Sequence, residues 1–259
     1  MQPQTIPFLN YEDSVPAVLD AVRARERLAE KQKILLKPNL VTSMPHPVTT
    51  STACCRAVIQ YIRACSPADI IIAEGTGDPC ETTHEVFDKL GYTRLSKELD
   101  VPLLDLNTEP VEQSKNPDCP RLPELFLPRI ADTHFIISLP VLKVHTLSKF
   151  TGSLKNMMGF APPAHYAGAG GIWNKAAFHQ GLQQAIIDLN RYRTPDLTLM
   201  DASIGMPDQH LGGRSCDPPV GTLVAGFDAL SVDRASAALL GLDWQKIGHL
   251  KNFGPVQPK

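Results

Sequence analysis

In Lys33-Ile34-Leu35-Leu36-Lys37-Pro38-Asn39 three consecutive aliphatic residues run into a lysine, a proline and an asparagine. A short apolar run stopped by turn-forming residues predicts a strand over 33–37, buried on both faces as in parallel sheets. Similar runs predict strands over 69–73, 101–106, 134–139, 197–201 and 221–225. Between most of them lie segments with helical apolar spacing, over 15–29, 52–64, 83–90, 178–191 and 229–240. Ser51 or Thr52 would cap the second helix and Thr82 or Thr83 the third. Strands alternating with helices predict an α/β fold, a mostly parallel sheet flanked by helices.

Two stretches interrupt the alternation. Residues 108–129 carry five of the 23 prolines, which excludes a continuous helix and predicts a surface excursion. Residues 146–175 hold Gly152, Gly159, Gly168, Gly170 and Gly171 among basic and aromatic residues, a glycine-rich active-site loop or lid with Tyr166 and Trp173 for contact.

The chain has 259 residues, enough for a sizeable core in one α/β domain over 1–259. Its 25 Lys and Arg against 27 Asp and Glu leave a net charge of −2, which gives no general attraction to nucleic acid or to an acidic membrane. No apolar run approaches the ~20 residues of a bilayer span, and no basic segment leads into an apolar one at the N-terminus. The expectation is a cytoplasmic protein with neither nucleic acid nor membrane as partner. None of the six cysteines stands in a CxxC pair, which removes the zinc ribbon, the thioredoxin motif and the contiguous ferredoxin motif.

Ligands of open parallel sheets bind beyond the carboxyl ends of the strands. The predicted strands deliver there Lys37-Pro38-Asn39, Glu74-Gly75-Thr76-Gly77-Asp78, Asp105-Leu106-Asn107, then Lys143 and His145, Asp201-Ala202-Ser203, and Gly226-Phe227-Asp228. Asp228 precedes a helix and reads as its N-cap, while Asp105 and Asn107 also suit turns. Gly75-Thr76-Gly77 lacks the third glycine of a dinucleotide fingerprint, because Cys80 stands there, and reads as a tight turn. Neither a P-loop nor a G-x-S-x-G elbow occurs.

The densest polar cluster is Lys143, His145, Thr151, Ser153, Lys155 and Asn156. Such a set can bind an anion, with His145 as a proton carrier near neutral pH; the alternative is a solvated basic loop. Lys37, at a strand end beside Asn39, suits a base or anion partner whose pKa burial lowers. Cys54, Cys55, Cys80 and Cys216 are candidate ligands of a dispersed metal centre, against the alternative of structural cysteines. His165 and His179 form a weaker metal set with Asp201.

The runs Ile34-Leu35-Leu36-Lys37-Pro38-Asn39-Leu40-Val41, Leu139-Pro140-Val141-Leu142-Lys143-Val144-His145-Thr146-Leu147, Thr151-Gly152-Ser153-Leu154-Lys155-Asn156-Met157-Met158-Gly159 and Ala225-Gly226-Phe227-Asp228-Ala229-Leu230-Ser231-Val232-Asp233 resemble, in this order, the family called domain of unknown function 362. The resemblance favours Lys37, Asn39, Lys143, His145, Thr151, Lys155 and Asn156 as site residues. Many of its members carry a ferredoxin-like cluster domain or are iron–sulfur proteins, so it implies an iron–sulfur cluster and a redox partner as candidates. The contiguous cluster cysteines are missing here, so a core-bound cluster would need Cys54, Cys55, Cys80 or Cys216.

Three functions follow as expectations. The first is an enzyme acting on a small anionic substrate, an oxidoreductase or a proton-transfer isomerase. Lys37, Lys143 and His145 would be catalytic; Asn39, Glu74, Thr151, Lys155, Asn156 and Asp201 would bind substrate. The others are an iron–sulfur or metal carrier or sensor, and a non-catalytic ligand-binding module.

Overall fold

Strand β2 (Lys33–Pro38) lies between two parallel neighbours, pairing Leu36 with Ile72 of β3 (Asp69–Glu74) on one side and with Ile137 of β7 (Phe135–Leu139) on the other. This is a computed structural model, and it describes residues 2–168 and 171–254. The remaining strands are β1 (Gln4–Pro7), β4 (Leu103–Asp105), β5 (Val111–Lys115), β6 (Glu124–Pro128), β8 (Val141–His145), β9 (Lys149–Thr151), β10 (Leu197–Met206) and β11 (Thr222–Gly226). The main sheet runs β1-β11-β10-β7-β2-β3-β4. Its β10-to-β4 portion is parallel, whereas β11 is antiparallel to both β10 and β1. The predicted fold class, a large mostly parallel sheet flanked by helices, is the one observed.

Alternation along β2 shows why both faces are buried. Ile34 and Leu36 enter one apolar cluster, packed under helices Tyr11–Ala21, Thr52–Arg63 and Tyr92–Leu99. Leu35 enters the other, under helices Leu182–Tyr192 and Ala229–Leu239. The helix starts follow the capping expectations. Ser51 accepts from the Cys54 N–H, Thr82 and Glu85 form a reciprocal capping box, and Asp228 accepts from the Leu230 N–H.

Several expectations are corrected. The helix over 15–29 is two helices, Tyr11–Ala21 and Ala24–Leu28, parted at Arg23 with φ 56°. Helix Tyr92–Leu99 and strands β1, β8 and β9 were not anticipated. The proline-rich stretch 108–129 holds the hairpin β5–β6, with prolines before it, in its connection and at its last residue. Within 146–175 the chain forms β9 and short helical turns over Ser153–Asn156, Met157–Phe160 and Pro163–Tyr166, so much of it is regular. Gly170 lies outside the described residues.

The sheet gains its functional edge from Pro140. It ends β7, and the chain continues at once as β8, while the ten-residue β10 pairs first with β7 and then with β8. Asp201 N–H donates to the Pro140 carbonyl at 2.9 Å across that step. β8 then turns back through β9, with Lys143 opposite Thr151 and His145 opposite Lys149. Among the described residues no helix is long and apolar enough to cross a membrane.

Candidate functional site

The carboxyl ends of β2 and β3, the β8–β9 ribbon and the segments after it enclose a cavity of about 220 Å³. Lys37, at the end of β2, is fully buried, and its Nζ lies 2.6 Å from Glu74 Oε1 at the end of β3. It also donates to the Pro38 carbonyl at 2.9 Å and to Asn156 Oδ1 at 3.2 Å. Burial lowers its pKa, and the Glu74 carboxylate opposes that shift. Glu74 accepts as well from the Leu40 and Gly75 N–H groups, both at 2.8 Å. Its oxygens are therefore engaged by the protein, and it serves as the counter-ion of Lys37. A Cβ on Gly159 would strike both Glu74 Oε1 and the Lys37 amine, so only glycine leaves room for this ion pair.

Asn156 ties the strand ends together. Its Nδ2 donates to the Lys37 carbonyl and to Ser138 Oγ, both at 3.1 Å. Asn39 donates to Asn156 Oδ1 at 3.4 Å, and its own Oδ1 accepts from Lys143 Nζ at 2.8 Å. Lys143 donates a second hydrogen bond to the Val48 carbonyl. Helix Ser153–Asn156 is held in turn by buried Asp233, which accepts from the Ser153 and Leu154 N–H groups at 2.6 and 2.9 Å.

Three lysines of the cavity have pKa values displaced toward neutrality. Burial, helped by the Lys155 charge, pushes Lys143 down to about 7. Burial takes Lys155 to about 8, and it takes Lys175 to about 7 against the pull of Glu74. Lys175 donates to Asn107 Oδ1 and to the Ala161 carbonyl. The Lys155 amine stands apart, with no hydrogen bond or ion pair to another described residue. Four lysines thus face one carboxylate in a single cavity.

His145 has a defined tautomer. Its Nδ1 accepts from the Leu147 and Ser148 N–H groups at 3.0 and 3.2 Å, which places the hydrogen of the neutral ring on Nε2. The ring stacks on His210 with centroids 3.7 Å apart. Burial first, then the Lys155 charge, His210, and the Lys143 charge, hold His145 far below the usual imidazole range. Burial and the same lysines push His210 down to about 3. His145 is therefore a neutral hydrogen-bond donor through Nε2. Burial and the lysines around it oppose the role of proton carrier near neutral pH that the sequence suggests for this imidazole.

Of the residues singled out from sequence, Lys37, Asn39, Glu74 and Lys143 line this cavity, together with His145, Thr151, Lys155 and Asn156. Asp201 does not. It points away into a cluster in which Tyr11 Oη donates to it at 2.7 Å and the Ser203 N–H at 3.0 Å, with His46 Nδ1 3.8 Å away. Asp201→Asn is expected to lower stability by about 1–3 kcal/mol and to leave anion affinity in the cavity unchanged, as read by denaturant titration and calorimetry.

The metal assignments are corrected too. Cys54 and Cys55 lie in helix Thr52–Arg63 inside the opposite apolar cluster. Burial raises both thiols, Cys55 to about 12. Cys80 is exposed, and Cys216 lies beside Gly205. His165 stacks on Phe126, away from Asp201. Among the described residues no group of three His, Cys, Asp or Glu side chains is arranged to hold a metal ion. The cysteines present do not fit a cluster site. Sequence reasoning missed Lys175 and His210 and misassigned His179, which lines the cavity. Lys175 left one signal, a lysine set directly before Ala176-Ala177-Phe178.

Fold and site together define an α/β protein with a lysine-rich cavity at its strand ends. The family model described as Domain of unknown function (DUF362) matches residues 34–238, and the chain belongs to that family. No curated protein matches it. Among solved structures it is similar to the lactate racemase apoprotein from Thermoanaerobacterium thermosaccharolyticum, with a TM-score of 0.52 and 14% identity over 93% of this chain and 56% of that one. It is likewise similar to a protein from Thermotoga maritima, with a TM-score of 0.52 and 11% identity over 92% of this chain and 61% of that one. The chain thus spans less than two thirds of either neighbour, and these likenesses concern the fold.

Proposed function

We propose that the chain is an enzyme that binds a small anionic metabolite in this cavity and moves a proton on it. The observation that carries the proposal is that Lys143, Lys155 and Lys175 line one cavity, with amines displaced to about 7 or 8. Lys155, unpaired within the protein, holds the anion. Lys143 has two N–H bonds fixed by Asn39 and Val48, so its neutral form keeps one lone pair free to accept a proton. His145 donates from Nε2 to an oxygen that gains charge as the proton leaves. Perturbed amines of this kind support an enzyme over a binding module. The likeness to a racemase fold agrees with redox-neutral chemistry on a small carboxylate.

The test uses solvent exchange. In deuterated buffer the chain is expected to exchange carbon-bound hydrogen of a small carboxylate from a panel of hydroxy and oxo acids, followed by proton NMR. Lys143→Met should lower the exchange rate by about 100-fold or more while the acid still binds. Exchange that survives this substitution would remove Lys143 from the mechanism.

Anion affinity should also depend on pH. The ammonium forms of Lys155 and Lys175 favour the anion, and they are lost as pH rises through about 8 and about 7 respectively. Affinity is therefore expected to fall steadily above about pH 7, measured by calorimetric titration.

A further inference from the structure

Two buried polar atoms of the cavity lack partners. Thr151 Oγ1 and His210 Nδ1 are shielded from solvent and make no hydrogen bond. Both belong to residues lining the cavity, as the lysines do. Thr151 is the cross-strand partner of Lys143, so the two side chains share one face of the β8–β9 ribbon. His210 stacks on His145, two residues along the same face. Buried polar atoms in folded proteins are nearly always satisfied, so this pair calls for a polar group of the ligand.

The cavity also changes character from floor to mouth. Its deep wall is Lys37, Glu74, Lys143 and Asn156, all at most 4% exposed. Its more exposed lining carries an apolar wall of Val41, Leu147, Trp173 and Leu211, beside the polar Thr146, His179 and His210. Leu147 is 56% exposed, so part of this apolar wall faces solvent. A small, wholly polar anion would leave it uncovered.

Building on the proposed function, we infer that the metabolite is an α-hydroxy carboxylate with a branched or aromatic side chain. The carboxylate meets Lys155, which leaves the Lys143 amine free for the proton. The hydroxyl, on the carbon next to the carboxyl carbon, falls to Thr151 Oγ1 and His210 Nδ1. The side chain covers Trp173, Leu147 and Leu211 toward the mouth, where each added carbon removes apolar surface from water.

Three probes separate the parts of this inference: lactate, hydroxyisocaproate and isocaproate, titrated calorimetrically into the full chain. Hydroxyisocaproate should bind about 10-fold or more tighter than lactate, which lacks the tail, and about 10-fold tighter than isocaproate, which lacks the hydroxyl. Trp173→Ala should bring hydroxyisocaproate to within about 3-fold of lactate and leave lactate unchanged. Thr151→Val, nearly isosteric, should erase most of the preference for the hydroxy acid over isocaproate. Far-ultraviolet circular dichroism of both variants checks folding. Equal affinities for the three acids, or a preference indifferent to both substitutions, overturn the inference while the anion site stands. Absence of binding by any of the three overturns the anion site as well.

Discussion

Lys155→Met is expected to weaken binding of small carboxylates by about 10- to 100-fold, the range for losing one charge-assisted hydrogen bond. Methionine keeps the length and apolar stem, so packing around residue 155 should persist. Lys155 has no partner to orphan, unlike Lys37 with Glu74 or Lys143 with Asn39. The effect should therefore appear in affinity with little loss of stability. Removing its positive charge should also raise the pKa of Lys143, whose displacement it assists. The pH profile of proton exchange should accordingly move to higher pH. Calorimetry and the exchange profile read the two effects separately, and an unchanged affinity would show that the anion lies elsewhere.

The second large effect is expected at Gly159, and there it falls on stability. An added methyl must displace Glu74 Oε1 or the Lys37 amine, both buried and joined at 2.6 Å. Breaking a buried ion pair from one side costs about 3–5 kcal/mol, because the charge left behind has no water to turn to. Gly159→Ala is thus expected to lower the urea midpoint sharply or to abolish folding. Gly254→Ala is the control, since nothing lies within 4 Å of its added methyl and its backbone is outside the left-handed region. A wild-type midpoint for Gly159→Ala would mean that the ion pair has slack that the close approach denies.

The lysines leave a mark on stability too. Lys143, Lys155 and Lys175 have pKa values lowered below the ordinary 10.5, so the unfolded chain binds more protons at slightly alkaline pH. Stability without ligand should therefore rise from about pH 7 toward about pH 9, beyond which the buried thiols and phenols, raised by burial, act in the opposite sense. Thermal unfolding across that window checks the sign.

Much of the sheet was legible because its strands carry their own instructions. Ile34-Leu35-Leu36 and Ile70-Ile71-Ile72 are short, apolar and sharply ended, and each strand appears within a residue of its predicted bounds. β8 was hidden because Pro140 separates it from β7 without any loop, and its pairing depends on the unusual length of β10. The break at Arg23 was hidden because apolar spacing continues across it. The site divides in the same way. Lys37, Glu74, Lys143 and His145 sit at or near strand ends, where position alone suggests a role. Lys175 and His210 come from segments without periodicity, and they reach the cavity only through distant contacts such as Lys175 with Asn107. Asp201 misled because a strand-end carboxylate looks alike whichever side of the sheet it turns to. The cysteines misled because adjacency to a helix start is compatible with a buried thiol as well as with a ligand.

An anion site built from displaced lysines should take up protons when it binds. Hydroxyisocaproate, or lactate at higher concentration, is titrated at about pH 8 in buffers of different ionisation enthalpy, and the dependence of the observed heat on the buffer counts protons. Lys155, the partner of the anion, is partly neutral at that pH, and the bound anion draws it to the ammonium form. Net proton uptake is therefore predicted, fading toward about pH 6, where the amines are already protonated. Binding without proton uptake at the higher pH, or no binding at all, would contradict an anion site built from these lysines.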